Sequence, residues 1–438
     1  MKRAAAGVTV ILKGILFIGF SIQMIMGIVW MCFNFIHLQD FGEPEGILYP
    51  VLRNVLGGAY PLLYLIQLCA AFFAAHLFLQ SLFPAKGFIA AWRALVLLTF
   101  PMAMQCHLAL SPHSLVSSFL LLETALAIRL CRDRERFSLY FYAGEGLCWL
   151  VLTLLLPEYL VLGGVLFLLT GAIGAGRMLR RHQKRQFGSL IVMLAACLGM
   201  VCGSVSLSAR WENPFGQEEL ALSAFSRFAW QNMWNDLGEW PQEVPAALGE
   251  QTMEIAGYAD NVRLIMKPIM DENFGTEEKI EYYLRMAESG WRMHSSVVIR
   301  QMGWDALGYG ITPLILPLQL QGRAYDSYSG RNYEFMINHT PVLTSRYVRY
   351  SCLWFGWMLA VTALLWIMNR IAGLRPVRRW GLPGVLLCLF TFGLTVVWYT
   401  MRGAGVMDYK CTVAVNLFWL AAALTVRQRG SEDGTEKA

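Results

Sequence analysis

Charge is scarce in this chain of 438 residues: 15% are Asp, Glu, Lys or Arg, against roughly 25% in soluble domains. Such a surface excludes a cytosolic enzyme and a nucleic-acid-binding domain, which need solvated or basic faces. Residues 209–348 contain no cysteine, and all ten cysteines of the chain lie in or beside apolar blocks. A disulfide scaffold and a cysteine-based zinc site are thereby excluded. The seven histidines show no His-x-x-x-His or Glu-x-x-His spacing that would set two ligands on one helix face, so no metal site is read from the residues. A glycine-rich phosphate loop is also lacking; Gly163-Gly164 and the glycines between 171 and 176 suit close helix packing instead.

What the chain has in abundance is apolar residues, 56% of the total, with a mean hydropathy of +0.46. They fall in blocks of about 20 residues, the length that crosses a bilayer as helix. Ten spans are predicted, near 14–36, 60–83, 88–109, 113–131, 138–156, 159–176, 188–208, 350–369, 382–401 and 408–426. Met1-Lys2-Arg3 before the first block resembles a signal-peptide start, but the block is long and has no small-x-small cleavage site, so it reads as a retained first helix. The expected fold class is an all-α polytopic membrane protein. Its divisions are a seven-helix membrane module (1–208), a mainly helical insert (209–348), a three-helix segment (349–430) and a polar tail (431–438).

The formal net charge of +6 divides unevenly along the chain. Residues 209–348 hold 18 Asp/Glu against 11 Lys/Arg, so the insert is acidic and the remainder strongly basic. Alternate connections between spans carry Lys2 and Arg3, Lys86, Arg129 to Arg136, Arg177 to Arg185, Arg370 to Arg379, and Arg427 with Arg429. Short basic loops stay cytoplasmic, so both termini are expected inside a cell (plasma) membrane. The acidic segment 37–59 and the insert then lie on the external face. Thr276 followed by Glu277 and Glu278 predicts a helix start, with Ile280, Tyr283, Leu284 and Ala287 following at helical spacing and Pro241, Pro245, Pro313 and Pro317 punctuating the insert.

The external segment after the first span reads His37-Leu38-Gln39-Asp40-Phe41-Gly42-Glu43-Pro44-Glu45-Gly46-Ile47-Leu48-Tyr49, then Arg53 and Tyr60-Pro61-Leu62-Leu63-Tyr64. Here the chain resembles the GT-C superfamily of integral-membrane glycosyltransferases, the class of aminoarabinose transferase and protein O-mannosyltransferase. In that class an acid or acid pair lies just outside the first helix, and a Tyr-Pro element opens the second. Asp40, Glu43 and Glu45 fall at the acidic position, and Tyr60-Pro61 at the second element. The plan of seven helices, a large external loop and a variable carboxyl-terminal set is similar as well. Two departures stand out: the first loop is short, and a Lys often found late in the fifth span is absent, with Val151 and Leu152 nearby.

The resemblance implies inverting transfer of a sugar from a polyprenyl-phosphate donor to an envelope glycan, lipid or protein. Such transfer needs a carboxylate to accept the acceptor's hydroxyl proton and cations to receive the departing phosphate. Asp40 is the first candidate base, followed by Glu43 and Glu45. Donor-phosphate and substrate candidates are Arg53, His113, Arg346, Arg349, Tyr49 and Tyr60. The cationic and aromatic ones also fit ordinary interfacial anchors. A divalent cation at the acidic segment stays open, as some members of the superfamily use one. The expected partners are the membrane and the lipid-linked sugar, with no nucleic acid.

Glu123, Glu145, Arg93 and His76 lie inside spans, where an unpaired charge costs at least a few kcal/mol. Counting helical rise places Glu145, Arg93 and His76 at similar depth, as members of one structural cluster. Three rival functions remain. A transporter or flippase for a lipid-linked precursor would work through Glu123 and Glu145, a non-catalytic assembly protein through its insert, and a polysaccharide ligase or polymerase through a different acceptor.

Overall fold

A computed structural model describes residues 2–36, 47–82, 86–99, 107, 110, 112–132, 139–156, 159–182, 184–208, 217–230, 270–319 and scattered positions from 354 to 397. The described chain is nearly all helical. Its elements are α1 (Lys2–Ile36), α2 (Leu48–Val55), α3 (Tyr60–Leu82), α4 (Phe88–Leu98), α5 (Pro112–Arg132), α6 (Leu139–Leu155), α7 (Tyr159–Arg180), α8 (Lys184–Ser208), α9 (Gln217–Phe225), a π-helical turn at Ser226–Trp230, and α10 (Thr276–Gln319). Four stretches of helix among the described residues are long and apolar enough to cross a membrane: Gly7–Val29, Tyr60–Ser81, Tyr159–Arg180 and Arg185–Ser204. Phe88–Leu98 and Leu139–Leu155 are apolar but shorter. The last expected span, 408–426, lies outside the described residues.

Helix ends follow local chemistry. Pro112 opens α5, where its missing N–H has no helical partner to lose. Between α2 and α3, Gly57 and Gly58 both take positive φ (58° and 79°), which lets the chain reverse within a few residues. Arg177, in the last turn of α7, donates to the Leu130 carbonyl (2.6 Å) and so ties the end of α7 to the end of α5.

Apolar contacts sort the helix ends into two groups. Phe35 of α1, Tyr49 of α2, Leu63 and Tyr64 of α3, Leu115 and Val116 of α5, Leu152 and Leu155 of α6, and Tyr159 and Leu162 of α7 share one buried cluster. Leu130, Tyr142, Met178 and Leu190, from the opposite ends of α5 to α8, share another. The chain thus shuttles between two ends of a bundle. Tight approach is made at glycine: an added Cβ at Gly164 would meet the Trp149 ring at 2.9 Å, and one at Gly171 the Leu194 side chain at 3.1 Å. The expected packing role of these glycines holds at both positions, whereas Gly176 faces open space.

Described residues of the carboxyl-terminal segment pack on α1. Trp354 Nε1 donates to the Gly19 carbonyl (3.0 Å), and the Met358 side chain fills the space where Gly19 has no Cβ. From α4 and its last turn, Trp92 Nε1 donates to Ser21 Oγ of α1 (2.9 Å), and Gln23 Nε2 of α1 donates to the Thr99 carbonyl (3.2 Å). These bonds satisfy polar groups that would be costly to leave bare among apolar helices.

In the insert, α10 begins at Thr276 as the sequence predicts, and Glu278 Oε2 reaches back to accept the Gly275 N–H (3.0 Å). Its buried stripe is Tyr282, Tyr283, Met286 and Ala287, packed with Leu222, Phe225 and Met270; Leu284, expected on that face, is half exposed. The helix continues through Pro313 and Pro317 to Gln319, with a kink at His294 (φ −124°, ψ 23°). Each proline removes its own N–H from the ladder and leaves the carbonyl four residues earlier without that donor.

Candidate functional site

The end of the bundle that gathers α2, the start of α3 and the start of α5 is the face on which the sequence places its chemistry. Asp40, Glu43, Glu45, Arg346 and Arg349 lie outside the described residues. His113 stands in the first turn of α5, with its side chain outside the described set. Tyr49, Arg53 and Tyr60 are described.

Two of those three come together. Tyr49 is fully buried under α2, and the Arg53 guanidinium sits over its ring, 5.8 Å from the centroid. One helical turn separates them, the spacing that lets the two side chains meet. The pairing contributes about 0.5–1 kcal/mol at a half-exposed site. Gln67 Nε2, from inside α3, donates to the Tyr49 hydroxyl (3.0 Å) and fixes the ring from below. Tyr64, one turn before Gln67, donates its hydroxyl proton to the Met31 carbonyl of α1 (3.5 Å), so the start of α3 is braced against the end of α1. Tyr60 is exposed at the opening of α3 and is not drawn into this group.

The arrangement gives a short amphipathic helix soon after the acidic residues Asp40, Glu43 and Glu45 in sequence, with one cation held on an aromatic platform at the bundle end. Ala306 of α10 packs against the same cluster, so the insert reaches this end of the membrane module. Nearby, the His107 Nδ1 and Ser114 Oγ are 2.8 Å apart and both buried. Sequence reasoning singled out His113 for this end and passed over the His107–Ser114 pair. The Ser111-Pro112 step in the sequence between them is the available signal, since such a pair marks a break in regular structure.

A second polar site lies deeper. Glu123 of α5 and Glu145 of α6 are both fully buried and close enough to interact electrostatically. Both Glu145 carboxyl oxygens lie 2.8 Å from Thr170 Oγ1 of α7. Glu123 lodges over Gly163, where a Cβ would come within 3.3 and 3.4 Å of its two oxygens. The expected neighbour His76 stacks on Phe72 of its own helix. Among the described residues, no three of His, Cys, Asp and Glu converge as metal ligands would.

In the insert, Lys279 bridges Glu218 of α9 (3.1 Å) and Asp271. Burial alone would lower its ammonium group, but hydrogen bonds and charge from Asp271 and Glu218 outweigh it and hold Lys279 above its ordinary value. The Tyr282 phenol is raised, by burial first and against the opposing Arg285 charge.

No protein-family model matches the chain, and neither a curated protein nor a solved structure matches it.

Proposed function

We propose that the chain is a GT-C-type membrane glycosyltransferase with about ten spans, its termini cytoplasmic, and its acidic segment and insert on the outer face of the cell membrane. It takes a sugar from a polyprenyl-phosphate lipid and transfers it to an extracytoplasmic acceptor. The observation that supports this most is the platform of Tyr49 and Arg53, a few residues after Asp40, Glu43 and Glu45 in sequence, at the end where the insert helix also packs. A lipid phosphate at headgroup depth would meet the Arg53 guanidinium, and the lipid tail would run along the exposed apolar side chains of α3 at Leu62, Leu65 and Ile66.

In the proposed step the acceptor hydroxyl attacks the anomeric carbon from the face opposite the phosphate. Asp40 takes the hydroxyl proton as the new C–O bond forms, the anomeric C–O bond to phosphate breaks, and the lipid phosphate leaves with that electron pair. Configuration inverts in this single displacement. Arg53, with Arg346, Arg349 and His113, would neutralise the departing phosphate, and Tyr60 would line the donor entry.

The test is transfer in reconstituted membranes with a panel of lipid-linked sugars. Asp40→Asn is expected to lower turnover by about 10²–10⁴-fold, the usual contribution of a general base. Arg53→Gln should lower it with Arg53→Lys partly restoring it. If Asp40→Asn, Glu43→Gln and Glu45→Gln each leave turnover intact, the base is misassigned. Lipid movement with no sugar transfer would instead favour a flippase.

A further inference from the structure

We propose that Glu123 and Glu145 form a proton-binding site in the core of α5, α6 and α7, a site that takes up and releases a proton from the interior of the membrane module. This does not rest on the glycosyltransferase reading, and that reading uses neither residue. Three observations carry it.

Glu123 has both carboxyl oxygens buried with no hydrogen-bond partner. It reaches into the space left by Gly163, beside the Trp149 ring, rather than toward water. A carboxyl group enclosed in this way is satisfied by what binds to it, and a proton is the smallest such ligand.

The second carboxyl group is built for two protonation states. Thr170 Oγ1 lies 2.8 Å from both Glu145 oxygens, 2.9 Å from the Phe167 carbonyl and 3.2 Å from the Leu166 carbonyl. A hydroxyl has a single proton to give and can accept another. With Glu145 charged, Thr170 donates to the carboxylate. With Glu145 protonated, the acid donates to Oγ1 and the hydroxyl turns to Phe167. Either state keeps its hydrogen bonds without a backbone change.

The two groups are also coupled. Two carboxylates within reach of each other repel when both are charged, so the two groups titrate as one coupled unit. Ionisable neighbours are Cys148 on α6, which feels both carboxyl groups, and Tyr142 on α6, whose hydroxyl donates to the Thr170 carbonyl (3.0 Å). From α7 the facing groups are Gly163 and Thr170, which do not ionise. Helix α3 also packs on α5 and carries the partly buried His76, whose enclosed Nδ1 has no hydrogen-bond partner. Uptake of the proton is a plain acid–base step: a carboxylate oxygen gains H⁺ from water that reaches the core, with no bond broken in the protein and no redox change.

Infrared titration of the full chain in lipid vesicles tests it. The carboxylic-acid carbonyl band of the wild type should grow as pH is lowered, and should shift on transfer to D2O. Glu123→Gln and Glu145→Gln should each remove roughly half of the titrating band and move the midpoint of the remainder, as coupled sites require. Thr170→Val should move the midpoint while leaving the band in place. In wild-type protein, labelling with dicyclohexylcarbodiimide located by mass spectrometry should find the adduct on Glu123 or Glu145, which assigns the band even where a variant fails to fold. A band that ignores pH and D2O, or an adduct confined to other carboxyl groups, overturns the proposal. Loss of the band on adding sodium chloride at fixed pH also overturns it, in favour of a metal-cation site.

Discussion

Lys279 holds two carboxylates that would otherwise face each other across the α9–α10 contact. Its side chain is 8% exposed, whereas that of Asp271 is 44% exposed. Solvent at Asp271 therefore discounts the bridge, and Lys279→Met is expected to cost about 1–2 kcal/mol rather than the larger penalty of a buried pair. The sign of the pH effect follows from the raised Lys279 value. Its contribution is complete below its ordinary value of 10.5 and fades as pH climbs through the higher folded value. Thermal melts of the full chain followed by helical circular dichroism should show this alkaline loss, and Lys279→Met should remove that component of it. At the bundle end, Tyr49→Phe strips the acceptor from the buried Gln67 amide and should cost about 1–3 kcal/mol. Tyr49 and Arg53 stood out in the sequence as separate candidates, but their pairing depends on the helix α2, which the acidic-loop reading of 37–59 did not include. The Gln67 bond was not legible either, because no local spacing links positions 18 residues apart.

At the scale of helices, glycine position separates packing from composition. Gly163 and Gly176 both sit on α7, yet a Cβ at Gly163 falls 2.6 Å from Trp149 Cδ1, and one at Gly176 meets nothing. Gly163→Ala should displace the Trp149 ring, strain its bond to the Leu160 carbonyl (2.9 Å) and cost about 1–3 kcal/mol. Gly176→Ala should be neutral or slightly stabilising, since alanine favours helix by up to about 1 kcal/mol. Melting temperatures of the two variants in one detergent decide it, and equal shifts would mean that α6 and α7 do not approach as described. The glycine run announced close packing in the sequence without saying which of its members make the contact. The same limit applies to the buried acids. Depth counting groups residues by height, but only the azimuth of each helix brings Glu145 to Thr170 and Glu123, and azimuth is set by neighbours that one sequence does not identify.

For the whole molecule, two independent lines bear on direction. Apolar contacts place the α1–α2, α5-start and α6–α7 ends together and the α5–α6 and α7–α8 ends together, which establishes alternation without a membrane. Arginine and lysine crowd the second set of connections, including Arg177, Arg180, Arg181, Lys184 and Arg185, and that crowding is what orients the proposed topology with the second set inside. Alternation was legible because apolar blocks and turn residues recur at bilayer length; the docking of α10 on the first set was not, because Ala306 is too small and too distant in sequence to signal it. The orientation has a direct check. A phosphatase that works only outside the cytoplasm, fused after Ser208, should be active, and the same reporter fused after His182 should be silent. Reversed activities would put the acidic segment and Arg53 on the cytoplasmic face. The proposed base and phosphate site would then stand on the wrong side of the membrane for an extracytoplasmic acceptor, and the proposed transfer would fail, while the Glu123–Glu145 proton site, which needs only the core of the bundle, would be untouched.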